Sequence, residues 1–196
     1  DGALAAYFWV ERHPGKPRAE GDVRVHPAAD PRLGPWLLAL ARECAAELAP
    51  GLPLHVFTAA GSRERKWLEA AGGRVARHYW RMTIALPDAP AAEPPVPPPG
   101  IAVERPRDEP GDLRVMYDVI ETAFHDHFGH AETGFEEWLA RQRGGTGPDI
   151  GLWWLARVDG EPAAALIGRA WPELGWVQGL GTLRGFRGRG LDRLLL

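Results

Sequence analysis

The chain is short of several things, and each shortage excludes something. It has one cysteine, Cys44, so no internal disulfide can staple it, and a lone thiol suits a reducing compartment. Neither sign of charge dominates: 23 basic residues face 26 acidic ones for a net charge of -3, which gives no global attraction to nucleic acid or anionic lipid. No apolar run reaches the length of a membrane span, and no charged-then-apolar leader opens the sequence. The expectation is a soluble cytoplasmic protein, monomer or homodimer, with neither membrane nor nucleic-acid partner.

What is present is core material. The 196 residues are 45% hydrophobic and include nine tryptophans, enough for one large domain or two small ones. Cys44 lies in a stripe of Leu37, Leu40, Ala41, Ala45 and Leu48 at helical spacing, which reads as a small core residue rather than a catalytic thiolate. Residues 87–100, PDAPAAEPPVPPPG, hold seven prolines in fourteen positions and predict a stiff, extended linker. Residues 1–86 and 101–196 are then two separate modules.

Before the linker the pattern predicts strands over 2–13 and 21–27, and a helix from Pro35 to Leu48. A short strand over 52–59, a helix from Ser62 stopped by Gly72 and Gly73, and an alternating strand over 75–86 follow. After it come a strand over 101–106 and a helix with Leu113, Met116, Tyr117, Ile120 and Phe124 on one face. A second helix over 134–143 precedes a hairpin turning at Asp159-Gly160 and a strand over 175–183. DGALAAYFWVERH at the start resembles DGEPAAALIGRAW at 159–171, and a strand, a turn and a helix follow each. The first copy thus begins in mid-module and the second breaks off within its helix, as in a piece of a longer tandem-repeat protein.

The stretch with chemical content is Thr182–Leu196, TLRGFRGRGLDRLLL. An apolar strand runs into a turn relaxed by Gly185, Gly188 and Gly190, and then into a helix seated by Leu191, Leu194 and Leu195. Amides at a helix start point at phosphate oxygens, and Arg184, Arg187, Arg189 and Arg193 add positive charge there. A free basic turn or an RNA-contacting segment shares the composition, but neither needs the apolar strand and leucines on its flanks.

This turn resembles the (Q/R)-x-x-G-x-(G/A) signature of the GCN5-related N-acetyltransferase (GNAT) superfamily, with Arg187 and Gly190 at its first two fixed positions. The order of elements over 101–196 is also the GNAT order, and the duplication is similar to the tandem actinobacterial type to which mycothiol synthase belongs. The resemblance implies an α/β (α+β) acyltransferase fold, a mixed and mostly antiparallel sheet flanked by helices, in two modules that are both incomplete. It implies acetyl-CoA as co-substrate, held by Leu180, Gly181 and Thr182 along its pantetheine arm and by Arg187, Gly188, Arg189, Gly190, Leu191, Asp192 and Arg193 at the turn. The acceptor implied is a small-molecule amine.

The sequence departs from the family at instructive places. Asp192 takes the third fixed position, where a carboxylate repels a pyrophosphate. In the first module the three fixed positions are Asp30, Leu33 and Pro35, and no acetyl-CoA is expected there. Acetyl transfer needs a base to free the amine lone pair, donors for the developing oxyanion and an acid for the thiolate. Some members carry a Glu on the strand before the turn, where this chain has Trp176. Glu173 just before that strand, at the hairpin turn, is either a candidate base or a solvated residue of the turn. The family's acid, a Tyr on the helix after the fifth strand, would fall after Leu196. His125, Asp126, His127 and His130 form the richest polar cluster, with no matching Cys or Glu pair at zinc-site spacing, so no metal is expected. In tandem acetyltransferases this region resembles the loop that walls the acceptor site. His127 and His130 therefore either bind the acceptor and relay a proton, His127 being the second catalytic candidate, or cap the helix end as cations before Gly129 stops it.

Overall fold

The computed structural model describes residues 4–85, 95–144 and 148–196. Its contacts divide into two compact units, Asp1–Pro87 and Asp88–Leu196. Much of the proline-rich stretch expected as a linker, and Asp1-Gly2 of the expected repeat, lie outside the described residues.

The first unit carries a three-stranded sheet in the order β1-β2-β3, built from β1 (Ala6–Arg12), β2 (Ala19–Val25) and β3 (Leu54–Val56). β1 and β2 pair antiparallel, while β2 and β3 pair parallel, with helix α1 (Leu33–Leu48) making the crossover. Alternation sorts the side chains. Phe8, Val10, Val23, Val25 and Leu54 pack on Leu37, Leu38 and Ala41 of α1 and on Trp67 and Leu68 of α2 (Arg63–Ala70), whereas Tyr7 and Trp9 stay exposed. Ser62 caps α2 by accepting from the Arg65 amide. Glu20 is buried on β2 and is held by Lys16 at 2.9 Å and Arg18 at 2.6 Å, so its charge has partners.

The strand expected over 75–86 is not formed: residues 73–85 are exposed and irregular, and residue 86 lies outside the described residues. Trp80, Met82 and Ile84 alternate as a strand would, yet alternation forms a strand only where a neighbour completes the ladder.

The second unit is a four-stranded antiparallel sheet in the order β4-β5-β6-β7: β4 (Ile101–Glu104), β5 (Pro148–Val158), β6 (Glu161–Trp171) and β7 (Leu174–Thr182). β5 turns into β6 through Asp159 and Gly160 at φ 50° and 87°, the left-handed pair that a tight Asp-Gly hairpin requires. Helices cover both faces. α3 (Pro110–Phe124) and α4 (Phe135–Arg143) lie on one, where Leu113, Met116, Tyr117, Ile120 and Trp138 meet Trp153, Leu155, Ala165 and Ile167. α5 (Leu191–Leu195) lies on the other, with Leu191 and Leu195 against Ala156, Ala164 and Leu166. Burial on both sides explains why Ala163–Gly168 of β6 reads as one unbroken run of small and apolar residues. Arg169 then caps the end of α4, donating to the carbonyls of Arg141, Gln142 and Gly144 at 3.0–3.2 Å.

Candidate functional site

β7 leads through a single 3₁₀ turn, Arg184–Phe186, into the glycine turn and α5. Gly188 and Gly190 sit at φ 78° and 74°, backbone that an L side chain adopts only with strain, and Gly190 is the N-cap residue of α5. A Cβ built on Gly185, Gly188 or Gly190 would meet nothing within 4 Å, so the turn has open space above it. Arg187 braces the turn from below: Nε donates to the Thr182 carbonyl at 3.1 Å and the guanidinium also donates to the Ala123 carbonyl at the end of α3 at 3.3 Å. Arg189 lies over the Phe186 ring at 5.5 Å. Asp192 and Arg193 are exposed, while Leu191 is buried and anchors the helix start.

Leu180, Gly181 and Thr182 end β7, which among the described residues pairs with β6 alone. Gly181 is buried because α3 lies directly on it: a Cβ there would stand 2.7 Å from the Ala123 Cβ and 3.4 Å from the Phe124 ring. Close helix–strand approach, rather than a positive φ, requires this glycine.

The loop after α3 is tied to the same turn. Asp126 pairs with Arg184, and that guanidinium holds the Asp126 carboxyl below the usual carboxylate range. The His127 ring rests 4.4 Å from the ring of Phe124, and His125 is 5.9 Å from His130. His125 and His127 are exposed, whereas His130 is mostly buried with Nε2 at 3.2 Å from Oε2 of Glu121. Tyr117, one helical turn before Glu121, donates its hydroxyl to the Thr133 carbonyl at 2.7 Å and fixes the far end of the loop. Burial raises the Glu121 carboxyl above its ordinary value, opposed by the charge of His130 and reinforced by Glu132.

Of the residues named from the sequence, the turn, Leu180–Thr182 and the histidine loop therefore lie around one end of β7. Glu173 does not join them. It is exposed in the two-residue turn between β6 and β7, at the opposite end of β7 from Thr182. Eight residue steps of extended chain separate Leu174 from Thr182, roughly 26 Å at about 3.3 Å each. Glu121 was missed, although the sequence signalled it: it stands four residues after Tyr117 and three before Phe124, a lone carboxylate beside an apolar stripe. Among the described residues no group of three or more His, Cys, Asp and Glu is arranged to hold a metal ion, and no helix is long and apolar enough to cross a membrane.

The corresponding turn of the first unit is built otherwise. Asp30 binds Arg32 at 2.6 Å, and no residue from 26 to 35 has a positive φ. The Trp67 ring lies against Gly34, where a Cβ would fall 2.4 Å from it.

No family model and no curated protein matches the sequence. Solved structures do. A GCN5-related N-acetyltransferase from Sphaerobacter thermophilus is 27% identical and superposes with a TM-score of 0.72 over 97% of this chain. A GCN5-related N-acetyltransferase from Kribbella flavida is 18% identical, with a TM-score of 0.59 over 98% of the chain. The chain spans 61% of the Sphaerobacter protein and 70% of the Kribbella protein. The fold of this chain is that of the GCN5-related N-acetyltransferases.

Proposed function

We propose that the chain is part of a tandem GNAT enzyme whose second unit binds acetyl-CoA and passes its acetyl group to the amine of a small-molecule acceptor. One observation carries this reading. The strand β7, the left-handed glycines Gly188 and Gly190 and the start of α5 make an open backbone cradle that carries the exposed Arg189 and Arg193, within a fold shared with acetyltransferases. Such a turn accepts a pyrophosphate because its amides and arginines supply donors while its glycines let the oxygens approach. Acetyl-CoA supplies the activated acetyl group. The protein's part is to hold it along Leu180–Thr182 and to bring the acceptor in beside the loop 125–134.

Acetyl-CoA is expected to raise the melting temperature of the protein, and Gly190→Glu to abolish the rise by placing a strained side chain and a negative charge in the cradle. Absence of any rise in the wild type would overturn the reading. Asp192 at the third fixed position, together with Trp176 where some members have a Glu, favours a second reading in which the chain binds without catalysing. Release of free thiol from acetyl-CoA with a panel of primary amines separates the two, since a binding module stays silent with all of them.

A further inference from the structure

The stretch after α2 carries chemistry that neither the glycine turn nor the first unit's core uses. Trp80, Met82 and Ile84, at every second position, are 87%, 88% and 82% exposed. Single apolar residues on a surface need no explanation, but three large ones spaced in one row do. Arg77, Tyr79, Arg81 and Thr83 alternate with them, and Arg74 precedes them. An extended chain with this pattern sets its apolar row on one side and its arginines on the other. From Ala70 to Pro87 the sequence has three arginines, Arg74, Arg77 and Arg81, and neither aspartate nor glutamate.

We infer that residues 74–84 are an interfacial segment that docks on an anionic lipid surface, its apolar row entering the headgroup boundary and its arginines meeting the lipid phosphates. The net charge of -3 predicts no attraction to lipid, but that sum averages over acidic residues elsewhere in the chain. Salt screens exposed charges beyond about 10 Å, so the charge that counts is that of the segment itself. Each arginine brought to an anionic surface strengthens binding about fivefold. Tryptophan and tyrosine suit the headgroup boundary because each joins an apolar ring to a group that hydrogen-bonds. A contact of this kind lies on the bilayer and does not cross it, in keeping with helices that are too short or too polar to span one among the described residues.

The segment is tied down at its base. The Tyr79 ring lies 5.8 Å from that of Phe57, which follows β3, and the Arg77 guanidinium lies 5.8 Å from the centre of the Tyr79 ring. Phe57 and Tyr79 are themselves exposed, so this contact places the segment without burying its apolar row. A tethered segment loses less freedom on docking than a loose tail does.

Two other occupants fit the surface less well. A single strand of nucleic acid would stack on Tyr79 and Trp80, but Met82 and Ile84 offer no ring to a base. A second copy pairing symmetrically would set the arginines of one segment against those of the other. A bilayer engages the whole apolar row and the arginines together.

The test is flotation of the full chain with vesicles of phosphatidylcholine, with and without phosphatidylglycerol, at low and high salt. The wild type is expected to float with the anionic vesicles alone and to be released as salt rises. Changing Arg77→Gln together with Arg81→Gln should weaken binding about 25-fold. Changing Trp80→Ser, Met82→Ser and Ile84→Ser together should weaken it roughly 100-fold. Arg141→Gln with Arg143→Gln removes the same charge from α4 and should alter binding less than about twofold. The residues changed in the segment are exposed and outside regular structure, so these variants should melt with the wild type. A wild type that ignores anionic vesicles at low salt, or segment variants that bind them as well as the wild type does, would overturn the proposal. Binding of oligouridine, or self-association, that the segment variants abolish while vesicles stay unbound would overturn it in favour of nucleic acid or a second copy. The thermal response to acetyl-CoA, which tests the glycine turn of the second unit, is read on the same preparations, so either reading can fail without the other.

Discussion

Gly181→Ala is the perturbation that most directly tests how α3 and β7 build the site. The added Cβ would stand 2.7 Å from the Ala123 Cβ and 3.4 Å from the Phe124 ring. Ordinary carbon–carbon contact needs about 3.5–4.0 Å, so helix and strand must separate by roughly 1 Å. The Ala123 Cβ is fixed to helix backbone and cannot swing aside, so the strain spreads into the packing of Ile120 and Met116. Overpacking of this kind costs about 1–3 kcal/mol. The substitution also removes unfolded-chain entropy and thereby regains about 0.4–1 kcal/mol. A net loss of about 1–2 kcal/mol lowers the melting temperature of a unit this size by roughly 5–10 °C. Gly179→Ala is the control, since its Cβ would make an ordinary 3.8 Å contact with Ile120, and it should melt within a few degrees of wild type. Calorimetry on the full chain reads the transitions, and hydrogen exchange of the α3 amides identifies which belongs to the second unit. In an Ala123→Gly background most of the Gly181→Ala penalty should vanish, because the clashing methyl is gone. Equal melting of the Gly181 and Gly179 variants, or an undiminished penalty in that background, would refute the close-approach argument.

Three further outcomes follow from the packing and charge of the second unit and the turn of the first. Leu191→Ala, which empties a fully buried site beneath the glycine turn, should cost about 2–5 kcal/mol in denaturant unfolding and weaken acetyl-CoA binding as the start of α5 loosens. Burial holds the Glu121 carboxyl above its ordinary value, so the folded chain binds that proton more tightly than the unfolded chain and loses stability as pH rises through the folded pKa. The denaturant midpoint of Glu121→Gln should therefore gain on wild type from acid toward neutral pH; parallel midpoints across that range would contradict the cause assigned to the shift. Calorimetric titration should give one acetyl-CoA per chain, because the turn of the first unit lacks left-handed glycines and has its arginine occupied by Asp30.

The features legible in the sequence are those whose cause is local. The Asp159-Gly160 hairpin was readable because two adjacent residues specify its left-handed turn, and the α3 stripe because its period is that of one helix. The glycine turn was readable for the same reason, since Gly188 and Gly190 carry their own conformational freedom. Failures came where the cause lies elsewhere in the chain. Residues 75–85 alternate correctly, but a strand also needs an edge to pair with, and alternation says nothing about the edge. Glu173 stands where its place in the sequence put it, in the exposed hairpin turn before β7, and the length of β7 separates it from the glycine turn. Glu121 escaped because the stripe was read for its apolar members alone, and His130, nine residues later, reveals its partner only after the loop has folded back.

On the proposed reading, the two turns show what separates a phosphate cradle from a connection of the same topology. Three ingredients are needed: backbone free to turn its amides outward, positive charge not neutralised by an internal carboxylate, and room above the helix start. In the second unit Gly188 and Gly190 supply the first, the exposed Arg189 and Arg193 the second, and the empty space over the glycines the third. In the first unit Leu33 and Pro35 stand where glycine would relax the chain, Asp30 neutralises Arg32, and Trp67 covers Gly34. These differences are independent in mechanism, so reversing one leaves the others in force. Removing Trp67 alone would restore room without restoring donors or charge. The Trp67 ring also packs against the cluster of Val23, Val25, Leu37, Leu38 and Ala41, so the cover over Gly34 is part of the first unit's core. A side chain that fills the space over a turn and at the same time buries apolar surface is held in place by stability.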